Sequence, residues 1–167
     1  MTDAEFRTAF DLYKDAVYRF AWRMSGSAAA AEDITQDAFV ALLRHPDRFD
    51  PARGTMRAFL LGIARNLAIK HWRAEHRFEP LDDEEVVAAP IDLDRGEVGD
   101  IVGRAVRALR PLQREVVILA EYEGLTLAEL ARAVDADVGT VKSRLHRARE
   151  NLRRTLAPLR SKQPTTT

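Results

Sequence analysis

The sequence predicts an all-α protein made of two small helical domains joined by a flexible acidic linker. Three observations carry that prediction. Apolar residues recur every three or four positions in several separate stretches, the period of a helix with one buried face. Residues 79–100 hold nine acids and a single arginine, together with Pro80, Pro90, Gly96 and Gly99, and show no sustained helical period. Near the C-terminus a short helix, a three-residue break and a strongly basic second helix follow one another, the outline of a helix-turn-helix. The boundaries read as 1–78, a linker over 79–99, 100–160, and a disordered tail over 161–167.

In the N-terminal domain, Phe6, Phe10, Tyr13, Val17, Phe20 and Met24 mark one amphipathic helix over about 3–24. Ser25-Gly26-Ser27 interrupts it, and Ser27 is placed to cap the next helix. That helix, AAAAEDITQDAFVALLR, puts Ala31, Ile34, Ala38, Ala41 and Leu42 on one face. A loop, HPDRFDPARG, carries Pro46, Pro51 and Gly54. The third helix, about 55–77, is apolar around more than half its circumference, with Met56, Phe59, Leu60, Ile63 and Leu67 on one side and Leu61, Ile69 and Trp72 on the other. Such a helix is sandwiched in a core, or keeps one apolar side for a partner.

The C-terminal domain opens with a helix over about 100–109. Another starts at Pro111, a residue suited to a first turn, and ends at Gly124. The short helix TLAELARAV (126–134) leads to Asp135-Ala136-Asp137. Asp135 stands where a sharp turn favours a left-handed residue. Asp137 can cap the following helix by accepting from the N–H of Gly139 or Thr140. Val138, Val141, Leu145, Ala148, Leu152 and Leu156 then form an apolar stripe that stops at Pro158. Gly139, Ser143, His146, Arg147 and Glu150 fall opposite, flanked by Lys142 and Arg144. Residues 142–154 carry six Lys/Arg against one Glu. The polar face is a solvated surface, or it enters a major groove where arginine pairs with guanine.

The whole chain, 167 residues with 26 basic and 26 acidic side chains, is neutral. Its charge is nevertheless segregated, with eight Lys/Arg against three acids over 44–77, and segregation steers partner choice more than the sum does. There is no cysteine, so disulfides and thiolate metal sites are excluded. The longest apolar runs, AFLLGIA and VVILA, are too short for direct membrane insertion, and the acidic, polar start is unlike a signal peptide. A cytoplasmic location is expected. The histidines, at 45, 71, 76 and 146, form no metal pattern, and no phosphate loop or nucleophile motif occurs. No enzyme, cofactor or metal is expected.

Two segments carry a family resemblance. EGLTLAELARAVDADVGTVKSRLHRARENLR, with LRPLQREVVILAEYEG before it, resembles region 4 of the extracytoplasmic-function (ECF) sigma factors of the bacterial sigma-70 family. AEDITQDAFVALL and FDPARGTMRAFLLGIARNLAIKHWR resemble region 2 of the same family, in the same order. The rival is a stand-alone LuxR-type helix-turn-helix regulator, which shares the TVK but lacks a region 2.

The resemblance implies a promoter-specificity subunit of core RNA polymerase. Region 2 would dock on the clamp coiled-coil and open the −10 element; region 4 would sit on the flap and read the −35 element. By match of position, Asp33, Gln36 and Asp37 are the polymerase-binding residues. Phe49 and Asn66 form a pocket for a flipped −10 base with His45 at its rim, although Phe49 also suits a core anchor. Arg57, Arg65, Lys70 and Arg73 contact phosphates there. Lys142, Ser143, His146 and Arg147 read the −35 element, and Arg144, Arg149 and Arg153 touch phosphate. An anti-sigma factor is an expected partner, with the broad apolar 55–77 helix a place for it. The chain departs from the family at Phe59-Leu60, where Trp-Leu is common, and at Lys70, where Asp is common.

Overall fold

The structure, a computed structural model, describes residues 1–82 and 90–162, with side chains to residue 159 at the C-terminal end. Among the described residues, seven α-helices run in order: α1 Asp3–Ser25, α2 Ala28–Arg44, α3 Met56–Glu75, α4 Val98–Ala108, α5 Pro111–Val117, α6 Leu127–Ala133 and α7 Val138–Lys162. No strand occurs among the described residues.

Local chemistry sets the helix ends. Thr2 accepts from the Glu5 N–H at 3.1 Å while the Glu5 carboxylate accepts from the Thr2 N–H at 2.7 Å, a reciprocal capping box. The Thr2 backbone N–H, and next its hydroxyl, hold the Glu5 carboxyl below its ordinary pKa. Gly26 closes α1 in the left-handed conformation at φ 67°, where a side chain would be strained. Ser27 and Thr55 cap α2 and α3 as hydroxyl acceptors. Thr126 and Glu129 repeat the capping box at α6, and Pro111 takes the first turn of α5.

The buried face of α1 is built more from small residues than the periodicity suggested. Ala9, Ala16, Val17, Phe20, Ala21 and Met24 are buried, whereas Phe10 is 36% exposed and lies edge-on to Phe39 at 5.0 Å. In α2, Phe39 takes a core place beside Ala31, Ile34, Ala38 and Leu42, and Ala41 is only half-buried. These two helices and α3 form the N-terminal bundle.

The apolar excess of α3 has a direct explanation. It packs on α1 and α2 and also on α5 and α6 of the C-terminal bundle. Leu60, Leu61 and Ala64 are fully buried between them. Gly62 lets α6 come close, since a Cβ built there would stand 3.5 Å from Ala133 Cα. The two bundles therefore share one continuous core rather than sitting apart on a tether.

The described linker ends are tied down as well. Arg110 donates to the Pro80 carbonyl at 2.6 Å and faces Glu79 and Asp82, and Leu81 packs on the core. Arg104 donates to the Asp92 carbonyl at 2.7 Å. Residues 83–89 of the expected flexible linker lie outside the described residues. Helix α4 starts inside the expected linker, because Glu97 caps it through Asp100.

Helix α7 also differs from expectation. It runs through Pro158 to Lys162, for a proline deletes one i→i−4 bond without forbidding the turn beyond it. Of the expected tail, 161–162 are therefore helical and 163–167 lie outside the described residues. The stripe of α7 buries Val141, Leu145 and Ala148, while Val138, next to the cap, is 40% exposed. Asn151 occupies the same stripe, 3% exposed, and donates to Gln113 Oε1 at 2.7 Å. A buried amide left unpaired costs about 1–3 kcal/mol. Asn151→Ala is expected to lose about that much by urea unfolding, and the double variant Gln113→Leu/Asn151→Leu to regain most of it.

Candidate nucleic-acid and polymerase interfaces

The helix-turn-helix forms as its local chemistry requires. Asp135 adopts φ 51°, the left-handed turn. Asp137 accepts from the Thr140 N–H at 2.7 Å, and this bond to the charged carboxylate depresses its pKa. With α7 held on α5 and α6, Lys142, Ser143 and His146 are exposed along one face. Arg147 and Arg144 are half-buried on the flanks of that face, and both are engaged within the protein. Arg149 pairs with Glu121, its Nε 3.0 Å from the carboxylate, and Arg153 pairs with Glu150. The residues expected to meet the −35 element thus share a surface, with part of its positive charge internally balanced.

On α2, Asp33, Gln36 and Asp37 are all exposed and fall on one helical face. Beside them lies a mainly apolar groove lined by Phe6, Phe10, Phe39, Val40 and Leu43, with Asp3, Arg7, Asp11 and Gln36 also in its lining. Leu43 is 56% exposed. Spacing alone missed this apolar half of the surface, because Phe6 and Phe10 come from α1.

The third surface is a cavity of about 340 Å³. Phe49, Phe59 and Asn66 line it, with the two rings 5.5 Å apart and tilted by 58°. Phe49 is only half-buried, so its ring is both anchored and presented. Asn66 is exposed and accepts from Arg65 Nη1 at 3.2 Å. His45 is exposed at the end of α2 and is not among the lining residues, whereas Arg48 and Arg53, which the sequence reading passed over, are. The opposite wall belongs to the C-terminal domain: Glu129, Arg132, Ala133 and Asp135.

The expected phosphate-binding residues divide into two pairs. Lys70 and Arg73 are exposed. Arg65 instead grips Glu115 of α5, with Nε–Oε2 at 2.6 Å and Nη2–Oε1 at 2.9 Å. Glu115 is fully buried and the Arg65 side chain is 13% exposed. Burial pushes the Glu115 carboxyl up, and the hydrogen bonds and charge of Arg65 oppose it, helped by Arg144. Arg57 reaches Glu123 Oε2 at 2.6 Å, with Arg19 and Arg23 within 3.6 and 3.8 Å of the same carboxylate. A π-helical turn over Ile118–Tyr122 precedes Glu123, and the Glu123 N–H reaches back to the Ile118 carbonyl. Arg114 crosses the boundary in the other direction, donating to the Met24 carbonyl at the end of α1. Burial, with the Arg107 charge nearby, lowers it to about 10, so it stays cationic at neutral pH beside the negative end of the α1 dipole. The one trace of these bonds in the sequence is the position of Glu115 and Glu123 on either side of the apolar run 116–120.

The Sigma-70 region 2 family matches residues 9–78 and the Sigma-70 region 4 family matches residues 99–152. The ECF RNA polymerase sigma factor SigW of Bacillus subtilis is 33% identical over 92% of this chain and 90% of its own length. The chain belongs to the ECF sigma factors. A second relative, the ECF RNA polymerase sigma factor BldN of Streptomyces coelicolor, is 36% identical over 90% of the chain. The match spans 60% of BldN's length, and 59% of that of SigE of Mycolicibacterium smegmatis. Among solved structures, RpoE of Bartonella quintana, crystallised with the anti-sigma factor NepR, matches at TM-score 0.73 and 27% identity over 92% of this chain and 97% of its own. CnrH, solved with the cytosolic domain of CnrY, shares the fold at TM-score 0.69 and 24% identity, over 94% of this chain and 90% of its own. Nothing in these matches favours a LuxR-type regulator, since region 2 and region 4 stand in one chain.

The Asp137 cap gives a prediction with a defined sign. Its pKa is lowered from 3.8, so its stabilisation is present above that value and disappears as pH falls through the lower, folded-state one. Asp137→Ala should lower the melting temperature at neutral pH, and the gap from the parent should close on strong acidification. Asp137→Asn, which retains an acceptor, should show a smaller gap at neutral pH.

Proposed function

We propose that this ECF sigma factor directs promoter-specific initiation as a dissociable, non-catalytic subunit of RNA polymerase in the cytoplasm. One observation carries the reading: a capped helix-turn-helix with an exposed Lys142–Ser143–His146 face stands in the same chain as a three-helix bundle bearing an acidic docking stripe and an aromatic–amide cavity. No described helix is long and apolar enough to cross a membrane.

Region 2 binds the polymerase clamp through Asp33, Gln36 and Asp37, with the groove of Phe6, Phe10 and Phe39 taking apolar side chains of the same partner. The −10 element is read single-stranded. A flipped base stacks on Phe49 and bonds Asn66, with His45 farther out and Arg57, Arg65, Lys70 and Arg73 holding phosphates. Lys142, Ser143, His146 and Arg147 meet base edges of the −35 element, and Arg144, Arg149 and Arg153 steady its backbone. An anti-sigma factor restrains the protein, and the RpoE–NepR likeness supports this partner class.

Run-off transcription tests the central reading. Added to core polymerase, the chain should yield discrete promoter-dependent transcripts that neither component gives alone; identical products with and without it would refute a sigma role. The docking stripe has its own test. Asp33→Arg/Asp37→Arg replaces two exposed charges outside the core, so helix content should persist by circular dichroism while co-purification with core polymerase falls at least tenfold. Undiminished holoenzyme assembly would remove these residues from the interface.

A further inference from the structure

The residues expected to hold −10 phosphates divide into two pairs, and the division follows the domain boundary. Lys70 and Arg73 face solvent, while Arg57 and Arg65 spend their guanidinium groups on carboxylates of region 4. The Arg65–Glu115 contact is bidentate, the fork that arginine also presents to phosphate. The base cavity is covered on the same side. Its far wall is Glu129, Arg132, Ala133 and Asp135, and Thr55, at its edge, donates to Glu129 at 3.3 Å.

We infer that Glu115 and Glu123 act as built-in phosphate mimics: the closed chain is an autoinhibited state in which region 4 neutralises Arg65 and Arg57 and walls the base cavity. This rests on the −10 reading of that cavity. Release needs the carboxylates and α6 to leave together, because Glu115, Glu123 and Ala133 approach α3 in the same interface. Other charges face the latch. Arg19 and Arg23 of α1 crowd Glu123, and Arg144 of α7 acts on Glu115, so no single cation holds it shut.

A reversible staple tests the closure. A Cβ at Gly62 would lie 3.8 Å from Ala133 Cβ, the spacing found in disulfides, and the chain has no other cysteine. Gly62→Cys/Ala133→Cys should bind single-stranded oligo-dT about tenfold more weakly when oxidised than after reduction. The plot of log affinity against log salt should also flatten by about 1.4, two phosphates at about 0.7 each. The opposite variant, Glu115→Gln/Glu123→Gln, should raise the radius of gyration in X-ray scattering and bind oligo-dT more tightly than the parent. Equal binding by the oxidised and reduced staple overturns the proposal. So does an expanded Gln variant that gains no affinity, or one that stays compact and binds as the parent does.

Lys70→Ala/Arg73→Ala in holoenzyme separates the two readings, because these side chains lie outside the latch. Unchanged transcription by that variant counts against the −10 assignment. Impaired transcription together with a redox-insensitive staple removes autoinhibition alone.

Discussion

The guanidinium of Arg65 and the carboxylate of Glu115 meet through two hydrogen bonds in a place almost without water. Taking both charges out of solvent is costly, and their attraction repays it only in a well-aligned geometry. A pair of this kind selects an arrangement more than it adds stability. Here it brings α5 against α3, and the remaining interdomain contacts follow from that placement. Glu123 comes within reach of Arg57, Arg19 and Arg23, Arg114 meets the end of α1, and Ala133 fits over Gly62. Small residues at the last contact let the helices approach closely enough for the polar bonds to close.

The same geometry governs what the surface can offer. Three functional faces were expected, and two of them, the α2 stripe and the outer face of α7, remain open to solvent in the closed chain. The third, around Phe49 and Asn66, is half enclosed. The difference lies in which helix carries each face. Helix α3 is apolar on two sides and must be covered on both, so residues near its second side are drawn into the domain boundary with it. The polar faces of α2 and α7 have no such obligation.

Much of the fold could be read from local pattern. Ser27, Thr55, Pro111, Gly124 and Asp137 all stand at element ends, since capping depends on the nearest few residues and on little else. Asp135 was read as the turn residue for the same reason, and its φ of 51° agrees. Side-chain burial was less readable. Phe10 and Val138 have the right period yet are substantially exposed, because a helix stripe marks a direction without marking where the neighbouring helix ends. Asn151 and Gln113 reverse the case: both are polar by type, yet they are buried, and the Asn151 amide donates to Gln113 across 38 positions of sequence.

By itself, then, the sequence determined the run of helices, the caps at Ser27 and Asp137, the division into region 2 and region 4, and the family. These rest on periodicity, short-range hydrogen bonding and motif order, all properties of residues close along the chain. Only the tertiary structure decided which cations are available. Arg65 and Lys70 look alike in sequence, five positions apart on one helix, yet one is held by Glu115 and the other is exposed to solvent. A charge's partner is set by separation in space, and Glu115 comes from 50 residues away, beyond the reach of any local pattern.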